Sequence, residues 1–304
     1  MYSSHCLHSL RLTGLPAHLS DDVTARVRQL GLRRRGCRGG RWQRSPPVLR
    51  PVGNGASSRT LARRSDAGSR RSALTRITVL RQSKAVSQSL VFGSINIRSL
   101  SPSKLDDLLI EMRDHSVDVM LLCETWHDAD SVSIGRLRVD GFSVIERARP
   151  RVSEMSLGVN HGGVAVVAAA GVRLSAVDVG LQPTTFECVA ARVTSSSSPQ
   201  SVVVVVVYRP SSSTVTATFF SELTDLLDRL STYVEPVLLA GDVNIRLERV
   251  TDPDAVEFNS SLAGYGLSQL VGGATHDAGG TLDVVCCGDD LNSSSVDVID
   301  VGLS

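Results

Sequence analysis

The 304-residue chain carries a formal charge of +1, with 21% charged, 42% apolar and 4% aromatic residues, so it can bury at least one core and has room for one or two domains. The neutral total hides a division: residues 1–88 hold 18 Lys/Arg against 3 Asp/Glu, a net of +15, and residues 89–304 hold 14 against 28, a net of −14. The longest apolar stretch, Gly163 to Val172, falls far short of the roughly 20 residues that span a bilayer. Cys6, Cys37, Cys123, Cys188, Cys286 and Cys287 show no CxxC pattern and no His in zinc-ligand register, which argues against a structural zinc or a disulfide scaffold and suits a reducing compartment.

In chain order, residues 1–88 are rich in Arg, Ser and Gly, lack sustained period 2 or 3.6, and are interrupted by Pro46, Pro47 and Pro51. They read as a disordered basic arm that buries too little to offset its ordering entropy. It can hold nucleic acid through phosphate contacts, although a leader upstream of the real domain is the simpler reading. No continuous apolar segment marks a secretory signal, and Asp21 and Asp22 weaken a transit-peptide reading. An intracellular, nuclear protein without a membrane segment is expected.

From Ser89 the pattern becomes that of a folded domain. Leu90 to Ile97 reads as a strand. Ser101-Pro102 supplies an N-cap with Pro at the first helical position, and Leu105, Leu108, Leu109 and Met112 then give an amphipathic helix over 102–115. Val117 to Cys123, Phe142 to Glu146, Gly163 to Ala169 and Cys188 to Thr194 read as strands. Val202 to Tyr208, with six consecutive valines, reads as a core strand covered on both faces. A helix is predicted near Thr216 to Tyr233, a strand at Val237 to Ala240, a helix at Val256 to Ala263, and strands at Thr281 to Cys287 and Val296 to Leu303. Many strands with few long helices predict an α+β fold, a two-sheet β-sandwich flanked by helices.

Polar side chains stand at the C-terminal ends of several of these strands, Asn96, Glu124, Tyr208 and Asp242 with Asn244, and Asp283 sits in Gly279-Gly280-Thr281-Leu282-Asp283. Strand ends meet at one rim of a sheet, so the side chains can converge. An Asp/Glu/Asn/Tyr set suits a hard, oxygen-seeking cation such as Mg²⁺, which completes its shell with water and phosphate and so points to phosphoryl chemistry. Each residue alone also has a plain structural reading: Glu124 as a carboxylate at a strand exit, Asp242 and Asn244 as turn formers after Gly241, Tyr208 as an edge aromatic, Asp283 as a turn cap.

Taken together, Ser94-Ile95-Asn96-Ile97-Arg98-Ser99-Leu100, Leu122-Cys123-Glu124-Thr125-Trp126, Tyr208-Arg209-Pro210, Gly241-Asp242-Val243-Asn244 and Gly280-Thr281-Leu282-Asp283 resemble, in order and spacing, the motifs of the endonuclease/exonuclease/phosphatase superfamily. The similarity is greatest to the apurinic-type endonuclease domain of non-LTR, jockey-like retrotransposons, and it covers about residues 90–304. The resemblance implies a Mg²⁺-dependent phosphodiesterase, with Mn²⁺ as a possible substitute, that nicks DNA by hydrolysis and leaves a 3′-hydroxyl end able to prime reverse transcription. It implies Glu124 as the principal metal ligand with Asn96 beside it, and Tyr208 bonded to a phosphate oxygen. Asp242 would orient and deprotonate water, Asn244 would hold water or phosphate, and Asp283 would pair with a catalytic His. Arg98, where related repair enzymes carry an acid, and Thr275 would meet the substrate. Arg147, Arg149 and Arg151 read first as an exposed charged loop, with contact to a DNA backbone as the alternative, His276 as a solvated loop residue, and His127 and His161 as loop residues without an evident partner. The family ends its site with Ser-Asp-His and this chain stops at Ser304, so an incomplete and impaired copy is expected. An intact element would also carry a reverse transcriptase. A catalytically inactive nucleic-acid-binding fragment, or another phosphoesterase of the superfamily, is the alternative.

Overall fold

The computed structural model describes residues 73–81, 88–150, 161–195, 200–291 and 293–303. Among the described residues, twelve strands form two six-stranded mixed sheets. The first contains, in spatial order, β12 (Ser293–Asp300), β1 (Ala73–Arg81), β2 (Gln88–Asn96), β3 (Val119–Cys123), β5 (Val164–Ala168) and β4 (Ser143–Arg147). The second runs β10 (Ser268–Gln269), β11 (Asp283–Cys287), β9 (Val237–Asp242), β8 (Ser201–Tyr208), β7 (Glu187–Ser195) and β6 (Val172–Val177). Each sheet holds one parallel pair, β2·β3 and β8·β9, and the remaining pairs are antiparallel.

Side-chain alternation explains the layering. In β8, Val202, Val204, Val206 and Tyr208 enter the core between the sheets, where Leu90, Phe92, Val119, Leu121, Cys123, Leu238, Ala240 and Val285 meet them. Val203, Val205 and Val207 face the other way, under α3 (Ala217–Leu230) and α4 (Pro253–Gly264), against Phe219, Leu223 and Phe258. The outer face of the first sheet, with Val91, Ile95, Met120 and Leu122, is covered by α1 (Pro102–Asp114) and α2 (Val132–Val139) through Leu105, Leu108, Ile134 and Leu137. A valine run buried on both faces is what a central strand between two apolar layers requires. The helices begin where capping chemistry dictates: the hydroxyls of Ser101, Ser131 and Thr216 and the carboxylate of Asp252 each accept a first-turn N–H, with Pro102 and Pro253 following two of them.

The expected two-sheet sandwich with outer helices is the observed fold. Its N-terminal boundary differs from the expectation. Ala73–Arg81, assigned by sequence to the basic arm, is a strand that pairs with β2 and β12 and buries Leu74, Ile77 and Val79. Its polar residues conceal the signal: Thr75 is buried, and half-buried Arg76 spends its guanidinium on the His115 carbonyl and on Asp297. The rest of the arm, residues 1–72, lies outside the described residues. Neither α2 nor β6 is anticipated by the sequence pattern. The last strand ends at Asp300 rather than Leu303, with Val301, Gly302 and Leu303 continuing outside the ladder.

Among the described residues, Cys123, Cys188, Cys286 and Cys287 are buried and form no disulfide, and Cys6 and Cys37 lie outside those residues. No helix among the described residues is long and apolar enough to cross a membrane.

Candidate active site

The inter-sheet core stops being apolar at one rim. Along β2 the row that enters the core is Leu90, Phe92, Ser94 and then Asn96; along β8 it ends in Tyr208; along β9 Leu238 and Ala240 lead to Asp242; and in β11 Val285 leads back to Asp283. The site is therefore the polar end of inward-facing rows from both sheets. The parallel register places Tyr208 beside Asp242, and the antiparallel one places Asp242 beside Asp283.

Asn96 is the hub. Its Nδ2 donates to Glu124 Oε1 at 2.8 Å and to Asp242 Oδ2 at 2.8 Å, so one amide bridges carboxylates carried by different sheets. Tyr208 donates its hydroxyl to the same Glu124 Oε1 at 2.9 Å. The Asn244 backbone N–H donates to Asp242 Oδ1 at 3.0 Å, while its Nδ2 donates to the Arg209 carbonyl at 2.7 Å. The backbone N–H of Arg98 donates to Asn96 Oδ1 at 3.3 Å, and burial raises the carboxyls of Asp242 and Asp283 against a smaller opposing pull from the Arg98 guanidinium. Asn96, Glu124, Tyr208, Asp242, Asn244, Asp283 and Arg98 thus occupy one rim.

Thr275, expected to meet the substrate, stands on the loop before β11. It is buried, and its hydroxyl accepts the N–H groups of Leu282 and Asp283 at 3.0 and 3.1 Å, so it shapes the corner that carries Asp283. His276 stays partly exposed, its Nδ1 accepting from the Ala278 N–H.

Local backbone geometry explains why these motifs have their residues. Glu124, Trp126 and Asn244 adopt left-handed φ values of 53°, 50° and 51°. Such conformations cost non-glycine residues energy and persist where surrounding contacts over-determine them. Gly241 has φ +140°, and a Cβ there would lie 2.0 Å from the Val207 carbonyl oxygen, so the Gly before Asp242 is dictated by the close approach of β9 to β8.

The rim gathers three carboxyl groups, Glu124, Asp242 and Asp283. Burial, then the neighbouring Glu124 carboxylate, pushes Asp242 up to about 6 against the hydrogen bonds from Asn96 and Asn244. Burial, then the charge of Asp242, holds Asp283 well above the carboxylate range. Burial and the Glu124 carboxylate also raise the Tyr208 phenol, which stays a proton-bearing donor at neutral pH. Among the described residues no Lys or Arg nitrogen lies within ion-pair distance of Glu124 or Asp242. Buried carboxylates without a cationic partner are costly, and a divalent ion with hard-oxygen preference relieves that cost. Among the described residues no group of three or more His, Cys, Asp or Glu is arranged to hold a metal ion, and the oxygen donors that could contribute to one at this rim are Glu124 and the Asn96 carbonyl.

Three supports escape the sequence reading. His127 is buried, not adrift in a polar loop: its Nδ1 meets Thr125 Oγ1 and its Nε2 meets Glu146 Oε2 at 3.0 Å. Arg209 is buried without a carboxylate, its fork donating to the carbonyls of Val243, Asn244 and Ser213. Lys104 Nζ donates to the carbonyls of Ile97 and Arg98, holding the turn after Asn96. The adjacency of Thr125 and His127 to Glu124, and of Arg209 to Tyr208, is the only trace of these roles in the sequence. Arg149, read as part of an exposed loop, pairs with Glu187 and lies 5.9 Å from the centre of the Tyr208 ring.

No curated protein sequence matches the chain. Among solved structures, the catalytic domain of human Nocturnin with bound sulfate is 17% identical and covers 67% of this chain and 84% of its own, with a TM-score of 0.49. The 3′-5′ exonuclease NExo of Neisseria meningitidis is 17% identical over 64% of this chain and 84% of its own, at a TM-score of 0.44. TDP2 of D. rerio, complexed with a single-strand DNA product, is 13% identical over 66% of this chain and 83% of its own, at a TM-score of 0.45. The model of the Endonuclease/Exonuclease/phosphatase family matches residues 93–304, a span that opens within β2 and takes in every residue of the rim described above. By that match the chain belongs to the endonuclease/exonuclease/phosphatase family of hydrolytic nucleases and phosphatases.

Proposed function

We propose that this chain is a divalent-metal-dependent phosphodiesterase that nicks DNA and leaves a 3′-hydroxyl, in the manner of the endonuclease domain of non-LTR retrotransposons. The observation that carries the reading is the Asn96 bridge between Glu124 and Asp242, with the Tyr208 hydroxyl on the same Glu124 oxygen.

Glu124 and the Asn96 carbonyl oxygen would hold the cation. A bound Mg²⁺ supplies charge neutralisation at the phosphate oxygens. Asp242, with its carboxyl near 6, is suited to take a proton from water close to neutral pH. Asn244 has its Nδ2 engaged by the Arg209 carbonyl, which directs Oδ1 to accept from that water. As the water oxygen bonds to phosphorus and the P–O3′ bond breaks, negative charge grows on the phosphoryl oxygens, and the protonated Tyr208 hydroxyl would turn its single proton from Glu124 Oε1 to one of them. The Arg98 side chain adds positive charge for the substrate backbone. The departing O3′ takes a proton from solvent, giving the 3′-hydroxyl and a 5′-phosphate.

The test is nicking of supercoiled plasmid by the full chain with Mg²⁺. Nicking is expected to stop with chelator and to fall about 10²–10⁴-fold in Glu124→Ala and Asp242→Ala. The nicks should be extended by a DNA polymerase without prior end repair. Nicking unchanged in both variants, or nicks that cannot be extended, overturns the reading.

A further inference from the structure

Two residues beyond Glu124 the chain adopts a costly arrangement. Trp126 has φ 50°, a region that bulky side chains seldom occupy, and its backbone is clamped there: its N–H donates to the Gly162 carbonyl at 2.7 Å, and that of Thr125 to the Gly163 carbonyl at 3.1 Å. The clamp is tight, because a Cβ on Gly163 would lie 2.6 Å from Thr125 Oγ1. Such strain does not serve to bury the indole, which is 38% exposed; the other exposed large apolar side chains among the described residues are all valines.

Nor is the ring loose. Its Nε1 donates to Glu124 Oε2 at 3.2 Å, and the His161 ring packs edge-on at a centroid distance of 4.2 Å and an interplanar angle of 79°. Backbone, indole N–H and imidazole therefore fix an exposed aromatic side chain directly beside the carboxylate that would hold the metal and, through it, the scissile phosphate. Aromatic rings so placed bind unstacked bases, since every base offers a π-face.

We propose that Trp126, braced by His161, is a stacking platform for a nucleobase flanking the scissile phosphate, so that the site takes a strand with an unstacked base in preference to a base-free phosphodiester. This rests on the nuclease reading and specifies its substrate. A paired duplex must surrender a stacking partner to use the platform, so strands with an unpaired base next to the cleavage point are favoured.

The chain has two tryptophans, and Trp42→Phe leaves Trp126 as the sole indole reporter. The full chain carrying that change is titrated, in chelator, with a short single-stranded oligonucleotide and with the same backbone carrying abasic sites in place of bases. The base-bearing strand is expected to quench Trp126 emission and the abasic strand to leave it unchanged, a local readout that phosphate contacts elsewhere do not produce. With Mg²⁺, Trp126→Ala is expected to raise KM for the oligonucleotide about tenfold, while Trp126→Phe, which keeps a ring but lacks the indole N–H, keeps KM near the parent value. Equal quenching by both strands, or none by either in a chain that still nicks plasmid, overturns the platform alone. A chain that neither binds nor nicks DNA overturns the nuclease reading and the platform with it.

Discussion

Asp242 is the residue on which charge, burial and chemistry meet. Its carboxyl lies at about 6 instead of 3.8, chiefly because it is buried, so the folded chain holds that proton more tightly than the unfolded chain does. Between those two values stability falls as pH rises. The metal-free protein is therefore expected to melt at a lower temperature at about pH 7 than at about pH 5. Mg²⁺ should restore part of the loss at the higher pH, and Asp242→Asn should flatten the slope; thermal melts across pH with and without the ion check this. Gly241 offers a steric counterpart. A methyl group there meets the Val207 carbonyl oxygen at 2.0 Å, so Gly241→Ala must push β9 from β8. A loss of about 3 kcal/mol in urea unfolding is expected, with nicking reduced because Asp242 moves with the strand.

Elements position the site through their ends more than through their lengths. The loop after β9 is shaped by Arg209, at the end of β8, whose guanidinium satisfies carbonyls of Val243 and Asn244 while its own carbonyl accepts from Asn244. Replacing it with Met leaves buried carbonyls unpaired, and a loss of about 3 kcal/mol is expected. Arg209→Lys should recover little, because an ammonium lacks the planar fork that reaches several carbonyls; melting and nicking of both variants decide this. After β3, the Thr125–His127–Glu146 chain ties the Glu124 loop to β4. His127→Ala is expected to weaken the Mg²⁺-induced rise in melting temperature more than it lowers the melting temperature of the metal-free chain. The sequence reading found the strands whose ends carry these groups, because apolar runs such as Val202 to Val207 announce themselves. It missed the supports, since a buried Arg or His is unremarkable by spacing and gains meaning only from the carbonyls and carboxylates that folding brings to it.

At the scale of the whole molecule, β1 changes where the domain begins. Counted from residue 73, the body holds 17 Lys/Arg against 28 Asp/Glu, a net of −11 in place of −14. β1 is the link between β2 and β12 in the first sheet and buries Leu74, Ile77 and Val79. A chain starting at Arg70 retains it; one starting at Ser89 exposes both neighbouring strand edges and part of the core. The shorter chain is expected to melt at a markedly lower temperature or to lose a cooperative transition, as calorimetry on the pair would show.

Local order was enough for the sandwich, for the outer helices other than α2, and for the candidates at strand ends. Period-2 and period-3.6 patterns, the Ser-Pro capping signal and glycines beside acids are properties of neighbours in the chain. The strand at 73–81 stayed hidden because its buried Thr75 and paired Arg76 blur the alternation, and their partners lie far along the chain. That Asn96 bridges carboxylates of two sheets, that Thr275 turns inward, and that Trp126 stands exposed beside Glu124 were decided by the tertiary structure alone. Each depends on which strand ends become neighbours in space, and that follows from packing two sheets face to face, not from any interval in the sequence.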